Sequence, residues 1–210
     1  MELLDALRQR RSVKAYDPEH RLTEDEIRHL MAHVALTPTS FNMQNWHFVV
    51  VTDQAVQDEL CAAAWNQAQV KDASATIICA GNLNGHNNME RTLRKAPEAV
   101  QEMFGGMVPG FYSNDAIQRD ESVRTIGLAG MTMMLLAKDM GYDTCPMIGF
   151  DPAKVAEIVG LPEDHPPLLM ITLGKSLSPA RGRMGLLNLE EFVSINRFGN
   201  HVLAGEVDDS

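Results

Sequence analysis

The chain has 210 residues, of which 45% are hydrophobic and 22% are charged, and its formal net charge is −10. This length and composition suit one globular domain, residues 1–210, that buries most of its apolar surface. The acidic balance argues against general nucleic-acid binding, which needs a broad basic face.

The cysteine pattern and the apolar runs exclude further classes of protein. The three cysteines have neither CxxC spacing nor an even count, so no disulfide framework or zinc ribbon is expected. The first twenty residues lack the apolar region of a signal peptide, and no stretch reaches the ~18 uninterrupted apolar residues of a membrane span. We therefore expect a cytoplasmic protein with no membrane partner.

The first 81 residues predict alternating helices and strands. Thr23 and Glu26 form a capping box that opens a helix, and Pro38 with the polar turn formers after it ends that helix. Apolar periodicity defines the other elements. The predictions are helices over 2–10, from Thr23 to near Pro38, and over 54–68, with strands at 47–51 and 75–81.

The second half continues this alternation. Pro97 should kink or divide a helix over 87–104, and Asp151 with Pro152 supplies the N-cap and first position of another helix. Strands that alternate with helices indicate an α/β or an α+β fold. The predictions are helices over 87–104, 117–140 and 152–159 and a strand at 168–174.

Residues 104–115, "FGGMVPGFYSND", contain three glycines and one proline, yet keep large apolar side chains. We expect a flexible loop here. Such a loop either covers a pocket, with Phe111 or Tyr112 contacting a substrate, or packs on the core.

Residues 117–140 are apolar on nearly all sides, which predicts a buried central helix. It belongs either to the core of a monomer or to a dimer. The tail, residues 175–210, is long and mostly polar, so we expect it to pack on another surface.

The common motifs of catalysis and nucleotide binding are missing from the sequence. It contains no HExxH pair, no GxSxG elbow, no GxxxxGK[ST] loop and no strand–GxGxxG–helix fingerprint. We therefore expect no metal site. If the protein is an enzyme, a cofactor should supply the reactive group.

One short segment, "LRQRRSVKAYD" at residues 7–17, concentrates the cations Arg8, Arg10, Arg11 and Lys14 in an acidic chain. Cations in the last turn of a helix interact favourably with its dipole, which is one explanation. The other is a small bound anion, such as a single phosphate.

Three further segments accompany this cluster: "PTSFNMQNWHF" (38–48), "PMIGFDP" (146–152) and "ARGRMG" (180–185). Together the four segments resemble the flavin-binding pattern of the nitroreductase superfamily, the FMN-dependent NAD(P)H oxidoreductases. The N-terminal signature of that family, R-[RH]-S-x-[RK]-x-[FY], is matched by residues 10–16, and the resemblance runs from about residue 2 to residue 190.

The resemblance implies a role for each segment. Arg10, Ser12, Arg181 and Arg183 look like the clamp for the FMN phosphate, since guanidinium forks suit phosphate geometry. Lys14 matches a lysine at the pyrimidine edge of the flavin, where it supports negative charge on the reduced ring. The cofactor-binding set that the resemblance implies is Arg10, Arg11, Ser12, Lys14, Pro38, Thr39, Ser40, Asn42, Asn66, Gln69, Pro146, Met147, Ile148, Gly149, Arg181 and Arg183.

Within that set, Asn66 reads the same edge of the flavin, and Gln69 replaces a lysine of many family members. Pro146 and Met147 would pack on one ring face, with the backbone N–H groups of Ile148 and Gly149 near flavin N5. Residues 38–42 would come from the second subunit. Classical members often have a glutamate where this chain has Ile148, so no acidic side chain is expected there.

The implied fold is α+β, a mixed sheet flanked by helices, in an intertwined homodimer whose C-terminal extension (175–210) reaches the partner. The implied reaction is reduction of nitroaromatics, quinones or activated alkenes with NAD(P)H, in alternating hydride transfers through FMN and without a catalytic side chain. Two alternatives stay open: a flavin-binding sensor or carrier without turnover, and other flavin chemistry of the superfamily, such as dehalogenation or flavin fragmentation.

Overall fold

The computed structural model describes residues 1–201 and 203–207. Four strands form one sheet in the order β1-β2-β4-β3, and each neighbouring pair is antiparallel. A parallel bridge between Ser12 and Thr144 adds the N-terminal segment beside β3. The α+β class is thereby confirmed. The strands are β1 (Trp46–Val51), β2 (Ala75–Gly81), β3 (Asp143–Met147) and β4 (Pro167–Gly174).

Nine α-helices occur in the described part of the chain, and two short 3-10 turns, Ser40–Asn42 and Gly85–Asn88, accompany them. The helices are α1 (Leu3–Gln9), α2 (Glu24–Val34), α3 (Gln54–Ala63), α4 (Gln69–Asp72), α5 (Met89–Leu93), α6 (Glu98–Phe111), α7 (Asp115–Asp139), α8 (Pro152–Val159) and α9 (Leu189–Phe192).

The sheet lies between two apolar layers, because successive residues of a strand point to opposite faces. Ile77 and Ile171 pack against α2 and α7 on one face. Ile78 and Met170 pack against α3 and α8 on the other. Every residue of β2 is buried, so its continuous apolar run marks a central strand.

Side-chain caps fix the starts of two helices as predicted. The Thr23 hydroxyl accepts from the Glu26 backbone N–H while the Glu26 carboxylate accepts from the Thr23 N–H, which is a complete capping box. The Asp151 carboxylate accepts from the N–H groups of Ala153 and Lys154, with Pro152 in the first turn of α8. These contacts satisfy N–H groups that the helices themselves leave free.

The prediction of a flexible loop at 104–115 is wrong. α6 runs through Gly105, Gly106 and Pro109 and ends at Phe111. The apolar side chains of this region stabilise the helix, because Val108 and Tyr112 are buried in a core cluster with Met43 and Met89, and Phe104 packs against that cluster. Tertiary packing overrides the low helix propensity of these residues. Pro97 divides the 87–104 region as expected, standing as the N-cap of α6 after α5.

Two further elements, α3 and β3, differ from the sequence predictions. The helix expected over 54–68 ends at Ala63, because Trp65 and Asn66 adopt positive φ angles of 55° and 57°. The strand β3 was not predicted, since "DTCPM" is partly polar and contains Pro146. As β3 is an edge strand, a proline that cannot donate to a ladder is tolerated there.

The helix expected to be buried on nearly all sides, α7, buries one face only. Ile126, Ala129 and Met133 lie in the core, whereas Val123 and Leu128 are each 47% exposed in the single chain. The tail after β4 forms α9 under an Asn188–Glu191 capping box. The predicted extension runs to residue 210, of which residues 202 and 208–210 lie outside the described part.

Candidate functional site

The cationic N-terminal segment is anchored on the edge of the sheet. After α1 the chain is extended, and the Val13 N–H donates to the Thr144 carbonyl over 3.1 Å. Val13 and Tyr16 are buried, whereas Ser12 and Lys14, on either side of Val13, are exposed. The sequence thus places its polar and cationic side chains at the outer edge of β3.

Arg10 and Arg183 meet at this edge from opposite ends of the chain. Burial lowers the pKa of Arg10, and the positive charges of Arg183 and Arg11 lower it further. The Arg10 Nε is buried without a hydrogen-bond partner within residues 1–201 and 203–207, and no ion pair there includes Arg10 or Arg11. Neighbouring positive charges at Arg10 and Arg11, which no carboxylate of the described residues pairs with, suit an anion, because it would offset both the burial of the Arg10 charge and the repulsion between the cations.

The helix-dipole explanation accounts for Arg8 alone, the one arginine in the last turn of α1. Arg10 is the C-cap residue, with extended backbone. The Arg183 Nη2 donates to the Leu7 carbonyl over 3.0 Å, so the end of α1 is held against the C-terminal segment.

A cavity of about 320 Å³ adjoins the cationic edge and is lined by Ser12, Lys14 and Arg181 with residues 178–180. The Cys145 thiol, on β3, lies within electrostatic range of Lys14 and Arg10. Burial raises the pKa of this thiol, and the nearby Lys14, Ser12 and Arg10 oppose that rise. The predicted phosphate clamp and the predicted ring lysine therefore share one side of the molecule.

The turn after α3 and the end of β3 form a second group of predicted residues. The Gln69 Nε2 lies 3.6 Å from the Met147 sulfur and 3.1 Å from the Gln67 Oε1. Gln67 in turn donates through Nε2 to the Gly149 carbonyl over 2.9 Å. Gln67 was not among the predicted residues. Its position between Asn66 and Gln69 was the one signal in the sequence that could have indicated it.

Close packing fixes the identity of Gly149. A Cβ atom there would lie 3.1 Å from both the Gln67 Nε2 and the Trp65 ring. Trp65 was also missed, and it is 67% exposed although it is large and apolar. Ile148 is 80% exposed, while Pro146 is half-buried, so the 146–149 turn presents backbone and apolar side chains to the outside.

Residues 38–42 lie on another side of the chain. Within the described residues the hydrogen bonds of their side chains join them to Gln44, Tyr112 and Thr92, not to the cationic segment. Asn42 Nδ2 donates to the Thr92 carbonyl over 2.9 Å. The exposed Pro38 precedes Thr39 and Ser40, which accept hydrogen bonds from the Gln44 N–H and the Tyr112 hydroxyl.

The backbone of this segment is strained, with φ of 52° at Phe41 and 55° at Asn42. Such angles are uncommon for residues other than glycine, and for a bulky side chain they need support from tertiary packing. The Phe41 ring supplies that support through edge-on contact with Phe104, at a centroid distance of 5.1 Å.

The two predicted substrate contacts differ in accessibility. Tyr112 is 1% exposed and donates to the Ser40 Oγ over 2.8 Å, which makes it part of the scaffold in this chain. Phe111, at the end of α6, is 56% exposed and is accessible to a ligand.

None of the helices in the described residues is long and apolar enough to span a membrane. Across the same residues, no group of three or more His, Cys, Asp and Glu side chains could hold a metal ion.

Comparison with known proteins gives consistent matches along the chain. The model of the nitroreductase family matches residues 7–175. Protein DrgA of Synechocystis is 44% identical over 185 residues, which cover 87% of this chain and 88% of that protein. The CLA biosynthesis enone reductase of Lactiplantibacillus plantarum is 29% identical over 83% of this chain and 86% of its own length.

A solved structure has a similar fold. It is a candidate NAD(P)H:FMN oxidoreductase of Staphylococcus epidermidis, with a TM-score of 0.87 and 26% sequence identity. The match covers 92% of this chain and 95% of that one.

Proposed function

Since the chain belongs to the nitroreductase family, we propose that it is an FMN-dependent oxidoreductase that uses NAD(P)H to reduce electron-poor acceptors. The acceptor classes are nitroaromatics, quinones and activated alkenes. The similarity to an enone reductase supports the last of these. The observation that carries the proposal is the convergence of Arg10 and Arg183 on the edge of β3, with a buried Arg10 Nε that lacks a partner among the described residues.

The residues present fit the phosphate end of FMN. Arg10, Arg11 and Arg183 form a cationic cluster, and Ser12 and Arg181 line the adjoining cavity. Guanidinium groups hold phosphate oxygens with paired hydrogen bonds, and the Ser12 hydroxyl adds a neutral donor. Arg183 keeps its place through the hydrogen bond to the Leu7 carbonyl.

The ring end of the cofactor is assigned to the two turns that Gln67 joins. Gln69 and Asn66 supply amide groups for the pyrimidine edge, and Lys14 supplies a cation beside it. Met147 and Pro146 provide an apolar face, while the close approach of Trp65 to Gly149 leaves no room for a larger side chain. Bound FMN would supply the redox chemistry, which is hydride transfer between NAD(P)H and the acceptor.

The role of the protein side chains in this reaction is to bind the cofactor and to orient the acceptor. Lys14 stabilises negative charge at the edge of the cofactor, because a fixed cation is most effective where charge develops. The exposed Phe111 offers a surface on which an aromatic acceptor can stack. No side chain is assigned as a nucleophile.

A homodimer completes the proposed site. The exposed Val123 and Leu128 on α7 give an apolar face that a second copy would cover. Residues 38–42 of that copy would supply the rest of the cofactor contacts, and the segment from residue 175 would extend over the partner. A cytoplasmic location stays a prediction from the sequence.

The test starts with the absorption spectrum of the purified protein, where we expect flavin bands, followed by stopped-flow mixing with NAD(P)H and a quinone. Bleaching by NAD(P)H and recovery with the quinone are expected. A flavin-loaded protein that is not reduced would instead be a flavin carrier or sensor. A protein that neither contains nor binds FMN would refute the proposal.

A further inference from the structure

A cavity of about 520 Å³ lies apart from the proposed phosphate clamp, since none of Arg10, Ser12, Arg181 and Arg183 lines it. Its wall is built from residues 42–44, the start of β1, the 82–95 stretch and His165, which precedes β4. Among the lining side chains are Asn42, His47, Arg91, Arg94, Lys95 and His165.

The lining is cationic although the chain is acidic. Arg91, Arg94 and Lys95 line the cavity together with His47 and His165, and none of the aspartates and glutamates that the structure describes lines it. Within residues 1–201 and 203–207, none of the three cations is ion-paired with a carboxylate. The chain as a whole has a formal charge of −10, so this is a local reversal of charge.

One carboxylate, that of Asp164, adjoins the lining residue His165. Asp164 lies 2.9 Å from the Asn84 amide nitrogen and 2.7 Å from the His165 Nδ1. The amide and the imidazole lower the pKa of Asp164, so both hydrogen bonds favour its charged form. No ion pair joins it to Arg91, Arg94 or Lys95 within the part of the chain that the structure describes.

We propose that this cavity binds a phosphorylated small molecule of about nucleotide size. The volume falls in the range of ~300–1,000 Å³ that is usual for small-molecule sites, which is far more than an inorganic ion needs. Guanidinium groups bind phosphate oxygens in pairs, and Asn42 and Asn88 add amide groups for sugar hydroxyls. Met43 and Trp46 are the large apolar side chains that the described residues contribute to the lining, which is otherwise polar or cationic, so an apolar acceptor suits it poorly.

Two kinds of ligand carry such phosphate groups and are the two possible sources: the dinucleotide that donates the hydride, and a free phosphorylated metabolite. The first source rests on the proposed function. It has structural support in Asn42, which lines the cavity, belongs to the predicted flavin segment and donates to the Thr92 carbonyl in the cavity wall. The phosphate site itself does not depend on flavin binding.

The experiment is calorimetric titration of the full chain with pyrophosphate, NADP⁺ and NAD⁺ at one fixed ionic strength. The test variant is Arg91→Gln with Lys95→Gln, because both side chains are exposed and neither makes a hydrogen bond within the described residues. The matched control, Arg28→Gln with Lys154→Gln, removes the same charge from exposed positions outside the cavity. Flavin content and NAD(P)H oxidation are recorded for each protein.

We expect saturable pyrophosphate binding that weakens roughly tenfold or more in the test variant. In the control it should change by no more than about twofold. If NADP⁺ binding weakens in parallel, the dinucleotide is the source. If pyrophosphate binding alone weakens, a free phosphorylated metabolite is the source.

Absence of saturable pyrophosphate binding, or an equal loss in both double variants, would overturn the cavity assignment. The pyrophosphate titration needs neither flavin nor turnover, so its result is independent of the proposed activity. A missing flavin spectrum together with normal pyrophosphate binding would refute the proposed function and leave the phosphate site standing.

Discussion

The side-chain amide of Gln67 donates a hydrogen bond of 2.9 Å to the backbone carbonyl of Gly149. This contact joins the turn after α3 to the turn after β3, the two segments assigned to the flavin ring. The same amide lies where a Cβ on residue 149 would clash. The relative position of the two turns therefore depends on one glutamine and one glycine.

Gln67→Ala should loosen this junction and weaken FMN binding by about fivefold, because a net hydrogen bond contributes ~1 kcal/mol. The measurement is quenching of flavin fluorescence during titration of the apoprotein. Gln54→Ala is the matched control, since Gln54 also donates to a backbone carbonyl, that of Lys71, on α4. Equal affinities of the Gln67 variant and the parent would contradict the role given to this contact.

Arg10→Gln should have opposite effects on affinity and on stability. Loss of a charge-assisted contact should weaken FMN binding at least about tenfold. The apoprotein should be no less stable, because the change removes the repulsion among Arg10, Arg11 and Arg183 that lowers the pKa of Arg10. Flavin titration and thermal unfolding of the apoprotein measure the two effects. A destabilised apoprotein with unchanged affinity would mean that Arg10 is structural.

Phe104→Ala should destabilise the protein by about 2–3 kcal/mol, since Phe104 is partly buried in the aromatic cluster with Phe41. FMN affinity should fall as well, because Asn42 follows the strained Phe41. Urea unfolding and flavin titration test this. Met103→Ala, an exposed position on the same helix, is the control and should change stability by less than about 0.5 kcal/mol.

The strand β3 and the helix α6 explain why part of the fold could not be predicted. Alternation and capping residues are local, so β1, β2, β4, α2 and α8 follow from neighbouring residues. Pro146 is acceptable only because its strand lies at the edge of the sheet, and that position depends on the whole topology. Pro109 and its flanking glycines form a helix because Val108 and Tyr112 have a distant core to fill.

The residues of the candidate site also fall into those that the sequence could predict and those that it could not. The cations at residues 10–14 and 181–183 stand out in an acidic sequence, and their chemistry could be interpreted directly. Trp65 and Gln67 could not, because their roles arise from a turn with positive φ angles that brings them against a segment far along the chain. Tyr112 was expected to contact substrate, and its burial against Ser40 depends on the unpredicted helix.

Leu128→Lys should dissociate the proposed homodimer, because it places a charge in the middle of the exposed apolar face of α7. Sedimentation velocity at micromolar concentration should give a dimer for the parent and a monomer for the variant. Ala62→Lys, at an exposed position of α3 beyond the opposite face of the sheet, should remain dimeric. A monomeric parent that retains FMN would contradict the dimeric site.

Glu26 should contribute stability that depends on pH. The Tyr142 hydroxyl, then the Thr23 backbone N–H and hydroxyl, lower the pKa of Glu26 from 4.5 to about 2. A lowered pKa stabilises the fold above pH 4.5, and this contribution is lost as the pH falls towards 2. Because Glu26 is partly solvated, Glu26→Gln should cost only about 0.5–1 kcal/mol at neutral pH.

Urea unfolding at pH 7, pH 4 and pH 2.5 tests this dependence. The difference between the parent and Glu26→Gln should shrink at the lowest pH. Glu24→Gln, in the same first turn, lacks the partner hydroxyl and is the control. A difference that stays constant across this range would contradict the assigned role of the Tyr142–Glu26 hydrogen bond.

The meeting of Arg10 and Arg183 has a consequence for the lifetime of the chain. Residues 177–188 form neither helix nor strand, and most of them are exposed. Exposed segments without regular structure are the usual sites of proteolytic cleavage. An anion held by arginines from both ends would fasten this segment to the start of the chain. Trypsin should therefore cut after Arg181 or Arg183 slowly in the cofactor-loaded protein and rapidly in the apoprotein. Cofactor supply would then set how quickly the protein is degraded as well as how much of it is active.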